Sequence, residues 1–310
     1  MSTIDRLARE ATVRLRTAGV ASPGADAEIL LAHALGRQVG DVRRARVLGE
    51  KVDEAGERAY QALVDRRADR VPLQHLTGTA HFSGVELRVG PGVFVPRPET
   101  EVLVQLALSA VEEVSAPIVV DLCTGSGAVA LALASARPDA RVGAVELSSE
   151  AFRYAEANRR RTGLAVDLRQ GRGQEAFLDR AGTVDLVTCN PPYIPPDAVP
   201  VDREVREHDP ELALYGGGED GLEVPLELAA HALRLLRPGG VLLMEHADAQ
   251  GESLPRALRA QGWSAVIDHP DLAGRPRVTA ARRPGQPASP TMSTCTGHDA
   301  APGSLGGAGG

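Results

Sequence analysis

The sequence predicts an α/β fold, a doubly wound parallel sheet preceded by a small helical domain, and three observations carry that prediction. Short apolar runs recur after Glu99, with helical stretches between the main ones. Residues 2–70 carry apolar residues at helical spacing instead. Between these two parts, residues 77–95 alternate short apolar pieces with glycines. Strands that alternate with helices pair in parallel through crossover connections, so the second part reads as one sheet covered on both faces.

The first helix carries Leu7, Val13, Leu15 and Val20 at roughly helical intervals. Ser22-Pro23 opens a second helix bearing Ile29, Leu30, Leu31 and Leu35, which Gly36 ends. A third helix is predicted over residues 53–69. The pattern breaks at Val71-Pro72, and Gly78, Gly84, Gly90 and Gly92 then punctuate a β-hairpin ribbon. Ile118 to Leu122, Val142 to Val145, Val166 to Leu168, Val184 to Thr188 and Val241 to Met244 are the strands of the sheet. The predicted organisation is a helical domain over 1–75, a hairpin linker over 76–98, a catalytic domain over 99–284 and a disordered tail over 285–310. In that tail Gly, Pro, Ser and Thr supply 16 of 26 positions, leaving almost nothing to pack.

Composition narrows the function classes. With 43% apolar and 24% charged residues, the 310-residue chain is globular rather than fibrous or disordered. A formal charge of -7 disfavours bulk nucleic acid and anionic lipid as partners. The three cysteines, Cys123, Cys189 and Cys295, show no paired spacing, which fits neither a disulfide framework nor a zinc site and favours a reducing cytoplasm. Residues Met1 to Glu10 lack the basic-then-apolar order of an export signal, and no run is long enough to span a bilayer. His75, His81, His208, His246 and His269 have no metal-ligand spacing and read as surface or polar-core residues. The acidic stretch from Asp197 to Glu223 reads as a solvated face or, less simply, as a surface for a basic partner.

Asp121-Leu122-Cys123-Thr124-Gly125-Ser126-Gly127 joins a strand to a helix start. Gly125 and Gly127 let the backbone approach a ligand, and the following helix offers unpaired amides. About twenty residues on, Glu146 ends the next strand, where a carboxylate can accept both hydroxyl hydrogens of a ribose. An adenosine-type cofactor is implied. A dinucleotide would satisfy the same pattern, but Asp121 would repel a pyrophosphate and would pair with the amino group of a methionine moiety.

Asn190-Pro191-Pro192-Tyr193 follows the strand Val184 to Thr188, and adjacent prolines cannot continue a ladder. Such exits at strand carboxyl ends line the ligand crevice of an open α/β sheet. The amide oxygen of Asn190 can accept one hydrogen of a substrate –NH2, and the carbonyl of Pro191 can accept the other. Tyr193 can stack on a planar amide or base and hold its nitrogen in line with a methyl group. This chemistry is methyl transfer from S-adenosylmethionine to a planar nitrogen. An oxidoreductase leaves Asn190 to Tyr193 without a role, and a non-catalytic adaptor would have no need to keep Asn190 and the glycines. Methylation of the exocyclic amine of adenine in nucleic acid stays as the alternative, since the same residues can grip that nitrogen.

Over about residues 5–283 the chain resembles the protein-(glutamine) methyltransferase family that modifies peptide chain release factors. Leu76-Thr77-Gly78, Phe94 to Glu101, Asp121 to Gly127, Asn190 to Ile194, Glu211 to Gly217, Asp220-Gly221-Leu222, Pro238-Gly239-Gly240, Glu245, Gln250-Gly251 and Asp271-Leu272 carry the resemblance. It implies a class I, Rossmann-like S-adenosylmethionine-dependent methyltransferase domain, a helical domain that helps recognise the release factor, and the glutamine of a Gly-Gly-Gln tripeptide as substrate. Cofactor contacts are implied for Asp121, Cys123, Thr124, Gly125, Ser126, Gly127, Glu146, Gly173 and Asn190. Asn190, Pro191, Pro192 and Tyr193 would hold the substrate, with Asn190, Pro191 and Tyr193 serving the transfer itself. Cys123 stands where the family commonly has Gly, Glu146 where it has Asp, Arg172-Gly173 where an acidic and then an aromatic or apolar residue are usual, and His246 where Ile is usual.

Overall fold

A computed structural model of the chain describes residues 1–285. The predicted tail lies outside the described residues, apart from its first residue.

Four helices, α1 (Ile4–Thr17), α2 (Pro23–Leu35), α3 (Val39–Leu48) and α4 (Glu54–Ala68), form the N-terminal bundle, and a short α5 (Leu73–Thr77) follows. Thr3 caps α1 by accepting from the Arg6 amide, and the helix buries Ile4, Leu7, Ala8, Ala11 and Leu15 along one stripe. Val13 faces solvent at 59% exposure, so it is not part of that stripe; two residues from Leu15, it lies on the opposite side of a 3.6-residue turn. Gly36 and Gly49 end α2 and α3 in left-handed conformations at φ 61° and 67°. Helix α3 was not separated in the sequence because its Arg-rich run buries only Val42 and Ala45, too few to give a stripe. Tyr60 of α4 is fully buried against α2, where its hydroxyl donates to the Ala27 carbonyl at 3.1 Å.

The linker is the expected hairpin, β1 (Thr79–Phe82) and β2 (Val85–Arg88), paired antiparallel. Its Ala80, Phe82, Val85 and Leu87 join the core beneath the sheet. Asn158 fastens it further, accepting from the Arg88 amide at 2.6 Å and donating to the Arg88 carbonyl at 3.0 Å.

From there the chain runs through α6 (Glu101–Ala110), β3 (Ile118–Leu122), α7 (Ala128–Ala136), β4 (Arg141–Glu146), α8 (Ser149–Thr162), β5 (Val166–Gln170), β6 (Val184–Cys189), α9 (Arg203–His208), α10 (Glu223–Leu235), β7 (Leu236–Glu245), α11 (Ser253–Ala260), β8 (Ser264–Pro270) and β9 (Pro276–Arg282). The seven-stranded sheet has the order β5-β4-β3-β6-β7-β9-β8. Strands β3 to β7 are parallel and doubly wound, while β9 runs antiparallel to both its neighbours. The β8–β9 hairpin is an addition the strand pattern did not reveal, since Ile267 is 56% exposed and β8 buries a single residue. Two apolar clusters cover the two faces of the sheet. No helix among the described residues is long and apolar enough to cross a membrane.

The winding reverses at β3, which has β4 on one side and β6 on the other. A crevice opens at the carboxyl ends where the order reverses. Register places those ends in a row, because Leu122 pairs with both Val145 and Cys189, and Cys189 pairs with Met244. The next residues on these strands are Glu146, Cys123, Asn190 and Glu245. Four segments distant in sequence thus deliver the residues at their strand ends side by side.

Candidate active site

One cleft of about 850 Å³ occupies this crevice. Its walls include the glycine loop, Glu146, Arg172 to Gln174, Asn190, Pro192 to Ile194 and Glu245. Of the residues singled out from the sequence, Asp121, Cys123, Thr124, Gly125, Ser126, Glu146, Gly173, Asn190, Pro192 and Tyr193 line it together. Gly127 and Pro191 are buried but do not form its wall. Gly127 turns the chain into α7 at φ 85°. Pro191 lies between two wall residues, Asn190 and Pro192.

The loop leaves β3 through Cys123 at φ 60° and Gly125 at φ 58°. Asp121 is 1% exposed and accepts from the hydroxyls of Thr124 at 2.6 Å and Thr188 at 2.7 Å. Burial pushes its carboxyl up to about 6, against the pull of those two hydroxyls. The carboxylate therefore braces the loop as well as facing the cleft. Glu146 accepts from the Gly125 amide and from the Ser148 amide, both at 2.8 Å. Burial raises its carboxyl too. Each oxygen of Glu146 uses one lone pair on the backbone and keeps another for a ligand hydroxyl. Ser126 Oγ is buried with no hydrogen-bond partner. An orphaned hydroxyl, two acceptors and a glycine-built turn fit an adenosylated amino acid.

Arg172 and Gly173 do line the cleft in place of an acidic and an apolar residue. Gly173 is required by packing, since a Cβ there would meet Leu228 Cδ2 at 2.7 Å. The Gly171 amide donates to the Glu146 carbonyl at 2.9 Å, which holds this turn beside the ribose-type acceptor.

Opposite stands the segment after β6. Asn190 Nδ2 is 3.4 Å from Thr100 Oγ1, at the start of α6. The Tyr193 and Ile194 amides both donate to the Leu214 carbonyl, at 3.1 and 2.8 Å, and the Gly216 amide donates back to Ile194. Burial raises the Tyr193 phenol well above its ordinary range, so the ring stays neutral. Gln250 ties the turn down by donating to the carbonyls of Tyr193 and Asp220, each at 2.8 Å. A Cβ on Gly221 would sit 2.2 Å from the Tyr193 carbonyl oxygen, and one on Gly216 would sit 2.0 Å from the Gly221 carbonyl oxygen. Thr100, Gln250, Gly216 and Gly221 hold the segment and were not assigned roles from the sequence. Their only signal was membership of the family-like series.

Most acidic residues of the stretch, Asp197, Asp202, Glu207, Glu211, Glu219, Asp220 and Glu223, are exposed as a solvated face requires, while Glu204 and Asp209 are not. Glu204 accepts from Arg67 at 2.8 Å and from Arg70, and Asp209 accepts from Arg97 at 2.7 Å. Glu204 thus joins α9 to the end of α4, and Asp209 joins it to the segment before α6. His246 is a polar-core residue, 2.6 Å from Asp268.

Comparison with known proteins identifies the family. The model described as "PrmC N-terminal domain" matches residues 6–78, and "Methyltransferase small domain" matches residues 84–202. The chain is 50% identical over 278 residues to the release factor glutamine methyltransferase of Streptomyces coelicolor, covering 88% of this chain and 96% of that protein. It is 42% identical to the protein of the same name from Bifidobacterium longum, covering 88% and 97%. A 4-amino-L-phenylalanine/4-methylamino-L-phenylalanine methyltransferase of Streptomyces pristinaespiralis is also 42% identical, covering 84% and 89%. A crystal structure of a methyltransferase from Pyrococcus furiosus aligns with 65% of this chain and 90% of its own at 20% identity and a TM-score of 0.47. The chain belongs to the release factor glutamine methyltransferase family, and its cofactor is S-adenosylmethionine.

Proposed function

We propose that this protein methylates the side-chain amide nitrogen of the glutamine in the Gly-Gly-Gln motif of peptide chain release factors. The observation that carries the reading is Asn190, held at the cleft wall beside the glycine loop with its –NH2 turned towards Thr100. Its oxygen is then the group left to accept from a substrate amide. When bound, S-adenosylmethionine supplies a methyl group on a sulfonium, an electrophile that needs only a correctly aimed nitrogen. Asn190 draws one amide hydrogen towards itself, and the Pro191 carbonyl takes the second. Drawing those hydrogens out of the amide plane frees the nitrogen lone pair as attack begins, so the grip strengthens in the transition state; as N–CH3 would form and S–CH3 would break, one of the two gripped hydrogens would leave as a proton to solvent. Tyr193 covers the flat amide and excludes water. Release factors are cytoplasmic proteins, so the cytoplasm is the compartment of action, and the charge of -7 supports a protein rather than a nucleic-acid substrate.

The test uses purified protein and S-adenosylmethionine labelled in its methyl group, with a release factor, DNA or 4-amino-L-phenylalanine as acceptor. Label on the Gly-Gly-Gln glutamine is expected. Label confined to DNA, or to the free amino acid, would replace the proposal. Asn190→Ala should lower kcat by roughly two orders of magnitude, the scale expected when a nucleophile is misaimed, while the cofactor Kd changes less than about threefold.

A further inference from the structure

Glu245 ends β7 at the cleft wall and is 3% exposed, yet its Oε2 makes no hydrogen bond among the described residues. Burying a carboxylate is costly unless it is paired and hydrogen-bonded. Of the charges around it, Arg277 on β9 favours ionisation and Glu99 before α6 opposes it. Burial is the larger influence and brings the group up to about 7, while the hydroxyl of Thr100 and the amide of Asn190 pull it down. Those two neighbours also touch each other, Asn190 Nδ2 lying 3.4 Å from Thr100 Oγ1.

We propose that Glu245 is a positioning residue which, through Thr100, sets the direction of the Asn190 amide so that its oxygen faces the substrate nitrogen. The inference rests on Asn190 acting as the amine acceptor. A carboxylate has lone pairs and no hydrogen, whereas a threonine hydroxyl has one hydrogen and two lone pairs. An ionised Glu245 can only accept, so it draws the hydrogen of Thr100 and the –NH2 of Asn190 to its side, and Thr100 is left to offer Asn190 a lone pair. Asn190 must then present –NH2 to the Thr100–Glu245 side and its oxygen to the cleft. An amide turned the other way would aim two N–H groups at a substrate –NH2, and donor would meet donor. The ionised carboxylate is thus a polarity source behind Asn190, and that polarity fades as pH falls through about 7.

Glu245→Gln keeps the size, removes a buried charge and can donate to Thr100, so the relay loses its direction without a cavity. It should lower kcat for release-factor methylation by about thirtyfold or more, the scale at which a misdirected acceptor acts. The cofactor Kd should stay within about threefold and Tm should not fall. Thr100→Val should cause a similar loss, and Thr100→Ser, which restores the hydroxyl, should recover most of it. Because both variants break one chain, the double variant Glu245→Gln/Thr100→Val should be no slower than the worse single one. A Glu245→Gln enzyme within threefold of the parent, or single losses that multiply in the double variant, would overturn the proposal. An Asn190→Ala enzyme with full activity would instead overturn the reading on which it rests, and the two failures are therefore separable.

Discussion

At the residue scale, Cys123 and Asp121 show how the cofactor loop trades strain for shape. Cys123 stands at φ 60°, a conformation that L side chains with a Cβ adopt only at a cost. Glycine would adopt that conformation without the cost. Cys123→Gly should bind S-adenosylmethionine within about threefold of the parent, whereas Cys123→Val, β-branched at positive φ, should lose about 2 kcal/mol of stability. Calorimetric melting and titration measure both. Asp121 has its carboxyl raised to about 6 in the fold from an ordinary 3.8. A group that holds its proton more tightly when folded contributes stability that is complete below the unfolded value and is lost as pH rises through the folded one. The ligand-free protein should therefore lose Tm relative to Asp121→Asn between pH 4 and pH 7. An unchanged difference between the two across that range would remove the buried acid from the account.

At the element scale, the segment from Asn190 to Ile194 has no regular structure of its own and takes its shape from the Gly216 to Gly221 turn. The two backbones touch where side chains would intrude. Gly221 combines φ 77° with a Cβ position 2.2 Å from a carbonyl oxygen, so Gly221→Ala must displace Tyr193. That variant should lower Tm by several degrees, the response to a loss of about 2 kcal/mol, and should reduce kcat more than it weakens cofactor binding. The turn lies some thirty residues beyond the motif it shapes, and only the Leu214, Ile194 and Gln250 hydrogen bonds reveal the connection.

At the scale of the whole molecule, α9 ties the helical bundle to the rim of the cleft. Arg67 is 5% exposed and bridges Asp26 of α2 to Glu204 of α9, and Arg70 adds a second contact to Glu204. Val201 and Val205, on either side of that carboxylate, line the cleft. Removing Glu204 leaves Arg67 paired with Asp26 alone and takes from Arg70 its better-buried partner, so Glu204→Ala should cost about 2 kcal/mol. With the rim released, KM for the protein substrate should rise while cofactor affinity holds, a split that steady-state kinetics and titration resolve. Equal changes in both would mean that the bundle supports the cleft only through general stability.

What the sequence by itself determined was local. Apolar runs bounded by turn residues marked β3 to β7 because a buried parallel strand must be apolar on both faces. Glycines, prolines, an Asn and a Tyr marked the candidate cofactor loop and the candidate substrate segment because few residues satisfy those conformations and that chemistry. The structure alone decided which distant residues meet. Helix α3 and strand β8, with few buried side chains, leave no periodic trace. Glu245 beside Asn190, Gly221 beneath Tyr193 and Glu204 against Arg67 are pairings set by strand register and crossover geometry, which no stretch of sequence contains. The motif from Asn190 to Tyr193 suggests the chemistry, and the packing of segments far from it fixes the shape in which the motif is held.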